Sequence, residues 1–90
     1  MIRVACVGAG YFSQFHYGSW ARMAAVEVVG ACDLDHAKAA ATGAPPFDDL
    51  GAMLTEAAPD LLDIILPPPA HAATIRAALT AGIKWIICQK

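Results

Sequence analysis

The sequence predicts an α/β domain: a parallel sheet of about five strands, doubly wound by helices. Three observations carry that expectation. Short apolar runs alternate with segments of helical period. The first run ends in a glycine turn that opens a helix. Glycine and proline then punctuate the chain at each change of period.

Ile2 to Val7 is an apolar run ending at Gly8, as expected of a strand buried on both faces. From about Tyr11 to Ala25 the period becomes helical, with Phe12, Phe15, His16, Ser19, Trp20 and Met23 in a stripe. Val26 to Cys32 is a second strand stopped by Asp33. Asp35 suits the cap of a short helix through Ala41. Gly43 to Pro46 breaks that helix, and Phe47 belongs to a brief third strand. Asp48 or Asp49 starts the next helix, through about Ala57.

Pro59-Asp60 makes a turn before a fourth strand, Leu61 to Leu66. Pro67, Pro68 and Pro69 end it, because none has an N–H to donate. His71 to Ala81 is an alanine-rich helix with Gly82 just past its end. Lys84 to Cys88 is the fifth strand, and the expected strand order is 3-2-1-4-5. Right-handed crossovers follow from the alternation.

Composition narrows the function. The 90 residues are enough for one domain. Hydrophobic residues make up 58% and charged residues 16%, which excludes a disordered chain. The formal net charge is -2 and the basic residues are scattered, so no nucleic-acid partner is expected. No apolar run nears the ~20 residues that span a bilayer, and no membrane partner is expected. The three cysteines, Cys6, Cys32 and Cys88, lie in apolar runs without metal spacing. They are read as buried thiols in a reducing cytoplasm, with no metal.

Gly8-Ala9-Gly10-Tyr11-Phe12-Ser13 is a G-x-G-x-x-G pattern with serine in the last place. Gly8 permits a tight turn. Gly10 lets a pyrophosphate approach the backbone, and a small residue at 13 lets helix and strand pack closely. The N–H groups of the first helical turn would face the phosphates. A glycine turn without a ligand is the plainer alternative, made less attractive by the strand and helix on either side. Asp33 ends the second strand, twenty residues after Ser13. A carboxylate there can accept both hydroxyls of an adenosine ribose and would repel a 2′-phosphate. No arginine follows it, which favours NAD over NADP. A methyltransferase could share both features.

The carboxyl-terminal third separates these readings. Pro59-Asp60-Leu61-Leu62-Asp63-Ile64, Pro67-Pro68-Pro69-Ala70-His71, Ala78-Leu79-Thr80-Ala81-Gly82 and Cys88-Gln89-Lys90 join the glycine turn in one register. Together they resemble the glucose–fructose oxidoreductase, inositol dehydrogenase and MocA-like oxidoreductases. The resemblance covers the whole chain. It implies a Rossmann-like cofactor domain. Gly8, Gly10, Tyr11, Phe12, Asp33, Leu66, Pro67, His71, Gln89 and Lys90 would bind the cofactor.

The resemblance also implies that Lys90 is catalytic, holding the substrate oxygen beside the nicotinamide. Two residues depart from the family pattern. Leu66 stands where a Thr or Ser is usual, and Gln89 stands where a Glu is usual, so one hydroxyl and one charge are lost. His16 is expected to be packed and His36 solvated.

The expected function is hydride transfer between NAD and a sugar, cyclitol or related polyol. A homo-oligomeric parent carrying a separate substrate domain is implied, with residues 1–90 as an incomplete nucleotide domain inactive alone. The alternative is a non-catalytic NAD-binding sensor or interaction module, which Gln89 slightly favours.

Overall fold

The computed structural model describes residues 1–10 and 13–88, with the side chains of residues 13–15 outside the description. Five parallel strands form one sheet in the order β3-β2-β1-β4-β5, as the sequence predicts. They are β1 (Ile2–Val7), β2 (Val26–Cys32), β3 (Pro46–Phe47), β4 (Leu61–Ile64) and β5 (Trp85–Cys88). The helices are α1 (Ser13–Ala21), α2 (His36–Ala41), α3 (Leu50–Glu56) and α4 (His71–Thr80), with a 3₁₀ turn at Pro68–Ala70 leading into α4.

Strand alternation divides the core. Ala5 and Val7 of β1 and Leu62 and Ile64 of β4 pack with Met53 and Leu54 of α3 and Ala78 of α4. Val4 and Cys6 point the other way, to Tyr17 of α1. The β1 residues 4 to 7 are buried toward both layers, which explains an apolar run without alternation. At Gly30 a Cβ would meet the Met53 sulfur at 2.9 Å, so glycine lets α3 lie close against β2.

Caps fall where the polar punctuation puts them. Asp35 accepts from the N–H groups of Ala37 and Lys38, and Asp49 from that of Ala52. Gly82 has φ +78, the left-handed conformation that follows many helices.

Several expected boundaries are corrected. Within the described residues α1 ends at Ala21, not Ala25. Ala25 offers its carbonyl to the Ile2 N–H, so it already belongs to the approach to the sheet. Met23 is 48% exposed and off the packed stripe, and Ser19 is exposed too. Among the described side chains of α1, Tyr17 is the one buried against the sheet. β4 stops at Ile64, two residues short of Leu66, because the residue before Pro67 leaves the ladder. Cys6 and Cys32 are buried, but Cys88 is exposed on the edge strand β5. His36 is exposed, as expected.

Candidate functional site

The carboxyl ends of β1, β2 and β4 meet at one edge of the sheet, where open α/β sheets bind their ligands. Gly8 follows β1 with φ +106. A Cβ there would lie 2.5 Å from the Ile65 carbonyl oxygen, so the turn passes directly against the end of β4. The Gly8 N–H donates to the Cys32 carbonyl at 2.8 Å, and the Tyr17 hydroxyl donates to the Gly8 carbonyl at 3.2 Å. Strand and helix thus hold the turn from two sides.

Asp33 holds it from a third. One carboxylate oxygen accepts from the Ala9 N–H and the other from the Asp35 N–H, each at 2.9 Å. A carboxylate has about four acceptor directions, so roughly two remain for hydroxyl donors. Gly10 is exposed, and a Cβ built on it meets nothing within 4 Å. Space therefore opens above Gly10, while Gly8 is sealed by backbone.

A cleft of about 450 Å³ adjoins this turn. It is lined by Val7 at the end of β1, by Cys32, Asp33 and Leu34 at the end of β2, by Asp48 and Asp49, and by Leu66 and Thr74. That volume suits part of a small ligand, and the lining combines apolar side chains with three carboxylates, Asp33, Asp48 and Asp49. Burial, and then the negative charges of Asp49, Asp33 and Asp48, pushes the Cys32 thiol up to about 11. A neutral thiol there offers no nucleophile near pH 7.

The proline-rich segment closes the opposite side. Leu66 is half-buried against the core and Pro67 is exposed. His71 donates from Nε2 to the Leu66 carbonyl at 2.5 Å, so its ring holds the loop that it follows. The structure thus brings Gly8, Gly10, Asp33 and Leu66 together around one edge, with Pro67 and His71 on its rim. Tyr11, Phe12, Gln89 and Lys90 lie outside the described residues.

Asp63 is a site that sequence reading used only as part of a motif. Its side chain is completely buried in β4. One carboxyl oxygen accepts from Trp20 Nε1 at 2.9 Å and lies 3.2 Å from His16 Nδ1. His16 and Trp20 are one turn apart on α1, so Asp63 binds that helix to the sheet. The expectation of a packed His16 is met, with a polar partner added. The signal was present: a carboxyl inside Leu61-Leu62-Asp63-Ile64 must find a partner. Cys6 lies nearby, and burial first, then the charge of Asp63, pushes its thiol up to about 12. Burial, and then Cys6, also pushes the Tyr17 hydroxyl up.

The family model described as an oxidoreductase family with an NAD-binding Rossmann fold (GFO_IDH_MocA) matches residues 2–90. The chain belongs to this family. It is 33% identical over 91 residues to a D-apiose dehydrogenase of Paraburkholderia graminis, covering 96% of this chain and 24% of that protein. The WlbA dehydrogenase of Bordetella pertussis, solved with NADH and UDP-GlcNAcA, superposes with a TM-score of 0.88 at 32% identity, covering 99% of this chain and 29% of that one. The scyllo-inositol dehydrogenase of Lactobacillus casei, solved with NAD(H) and scyllo-inositol, gives 0.89 at 25% identity, covering 100% and 28%. The chain thus spans about a quarter of the length of the D-apiose dehydrogenase.

Its five-stranded parallel sheet is that of a Rossmann-type NAD-binding domain. The methyltransferase reading falls with this assignment. Among the described residues no group of three or more His, Cys, Asp or Glu could hold a metal ion, and no helix is long and apolar enough to cross a membrane.

Proposed function

We propose that this chain is the cofactor-binding part of a dehydrogenase acting on a sugar, cyclitol or related polyol with NAD. The observation that carries the cofactor assignment is the pair of backbone hydrogen bonds that Asp33 accepts. The same carboxylate that faces the cleft also fixes the Ala9 N–H of the glycine turn, so ribose and pyrophosphate contacts are set by one group. The open space at Gly10 is where the pyrophosphate fits. Bound NAD supplies the hydride acceptor.

The protein's own residues orient it. Asp33 accepts from the adenosine ribose, and its charge disfavours a 2′-phosphate. Leu34 and Leu66, which line the cleft, offer apolar surface to the base. Gln89 and Lys90 follow β5, and Lys90 is the proposed catalytic residue. Its ammonium holds the reacting hydroxyl and stabilises negative charge developing on that oxygen. Tyr11, Phe12, Pro67 and His71 complete the proposed cofactor contacts. Residues 1–90 are proposed as an incomplete nucleotide domain, inactive alone, whose parent carries a separate substrate domain. That parent is proposed to be a cytoplasmic homo-oligomer. The substrate class rests on the similar proteins: a D-apiose dehydrogenase, a scyllo-inositol dehydrogenase, and a dehydrogenase solved with UDP-GlcNAcA.

The test has two parts. Calorimetric titration should give tighter binding of NAD than of NADP; equal or tighter NADP binding overturns the assignment of Asp33. In the intact protein, Lys90→Ala should lower hydride transfer far more than it weakens NAD binding. Normal turnover in that variant removes Lys90 from the chemistry. NAD binding with no turnover on any polyol favours the non-catalytic module, which Gln89 in place of a glutamate would suit.

A further inference from the structure

The acidic residues around the cleft differ in what else they do. Asp33 is committed through both oxygens to backbone N–H groups. Asp49 caps α3. Asp48 is exposed and lines the same cleft as Asp33.

The sheet explains why these two carboxylates meet. β2 and β3 are parallel, with Ala31 beside Pro46 and Cys32 beside Phe47. The Asp33 N–H continues the ladder by donating to the Phe47 carbonyl at 3.0 Å. Asp33 and Asp48 are the next residues after these two paired ends, so β2 and β3 deliver both to the same edge of the sheet. No lysine or arginine lines this cleft among the described residues. The next basic residue after Asp33, Lys38, lines the separate hollow between α1 and α2.

We propose that Asp48 is a second determinant of cofactor choice, adding a negative charge at the ribose end of the cleft that repels a 2′-phosphate through space. The inference rests on the cleft being the adenosine site. The Cys32 thiol, which lines the cleft, is pushed up first by burial and then by the charges of Asp49, Asp33 and Asp48, so all three act at this position. A 2′-phosphate, with a charge near -2, would meet the same field. Because Asp48 acts by charge rather than by a fitted hydrogen bond, its effect is screened by salt.

The experiment measures Kd for NAD and NADP in the wild-type protein and in Asp48→Asn and Asp48→Glu, at low and high salt. Asp48→Asn should tighten NADP binding roughly tenfold at low ionic strength while moving NAD much less, and the gain should shrink in high salt. Asp48→Glu should keep NADP weak. An unchanged NADP affinity in Asp48→Asn at low salt, or equal changes for both cofactors, overturns the proposal while leaving the NAD site intact. A wild-type protein that binds neither cofactor overturns the cofactor assignment itself. Asp48 is exposed and caps no helix, so its variants should melt like the wild type.

Discussion

Gly8 and Gly10 stand two residues apart in one turn, yet their substitution should fail for opposite reasons. At Gly8 an alanine must adopt φ +106, which costs on the order of 1–3 kcal/mol for a residue with a side chain. Its Cβ would also press on the Ile65 carbonyl, 2.5 Å away. That carbonyl cannot retreat easily. The Ile65 N–H bonds the Val7 carbonyl and the Gly8 N–H bonds Cys32, both at 2.8 Å. Overpacking of this kind adds roughly 1–3 kcal/mol.

The sum, about 2–6 kcal/mol, compares with a total of roughly 5–13 kcal/mol for a domain of this length. A drop in Tm of at least ~10 °C follows, up to loss of folding. Gly10→Val meets open space, so Tm should stay close to wild type while NAD affinity falls at least ~10-fold. Thermal unfolding by circular dichroism and NAD titration on both variants decide the matter. A Gly8→Ala protein that melts with the wild type, or a folded Gly10→Val protein that binds NAD normally, refutes this division of labour.

Four other outcomes follow from the packing. Asp63→Ala should lower urea stability by about 1–3 kcal/mol, because the Trp20 indole N–H loses its acceptor, and Asp63→Asn should cost less; equal stability of all three proteins would mean that the contact to α1 is idle. Iodoacetamide at pH 8 should label Cys88 alone in the folded protein and all three cysteines in denaturant, since Cys6 and Cys32 are buried and their thiols pushed up. For the same reason stability should be full below pH 9, where folded and unfolded thiols are both protonated, and should fall as pH rises from 9 to about 12, where the unfolded chain ionises first; denaturant titrations at pH 8 and 10.5 that agree would remove this linkage. Finally, β5 is an edge of the described sheet with Trp85 50% and Ile87 37% exposed, so the 90-residue chain should self-associate in sedimentation across a concentration series. A compact monomer at high concentration would contradict it.

Much of the fold was legible because a parallel sheet leaves a plain record. Strands such as Val4 to Val7 are apolar on both faces, and Gly8 and Asp33 follow directly where β1 and β2 end. The glycine turn and Asp33 were legible as types and spacing. What could not be read was contact across elements. The stripe on α1 suggested Met23 as buried and passed over Tyr17, because periodicity does not say which face the sheet will take. Cys88 sits in an apolar run but lies on an edge strand, and edge position is a property of the assembled sheet. The bonds of Asp63 to α1 join residues 43 and 47 apart in sequence, far beyond any local pattern. The neighbourhood of Asp33 and Asp48 needed the β2–β3 register.

The two backbone bonds of Asp33 have a consequence for how such a protein can diverge. A descendant that replaced Asp33 to admit a different cofactor would at the same step release the Ala9 and Asp35 N–H groups. The first move toward a new preference would also loosen the loop on which any dinucleotide rests. Selection is therefore channelled: neighbouring positions must drift first, and Asp33 is exchanged late or never.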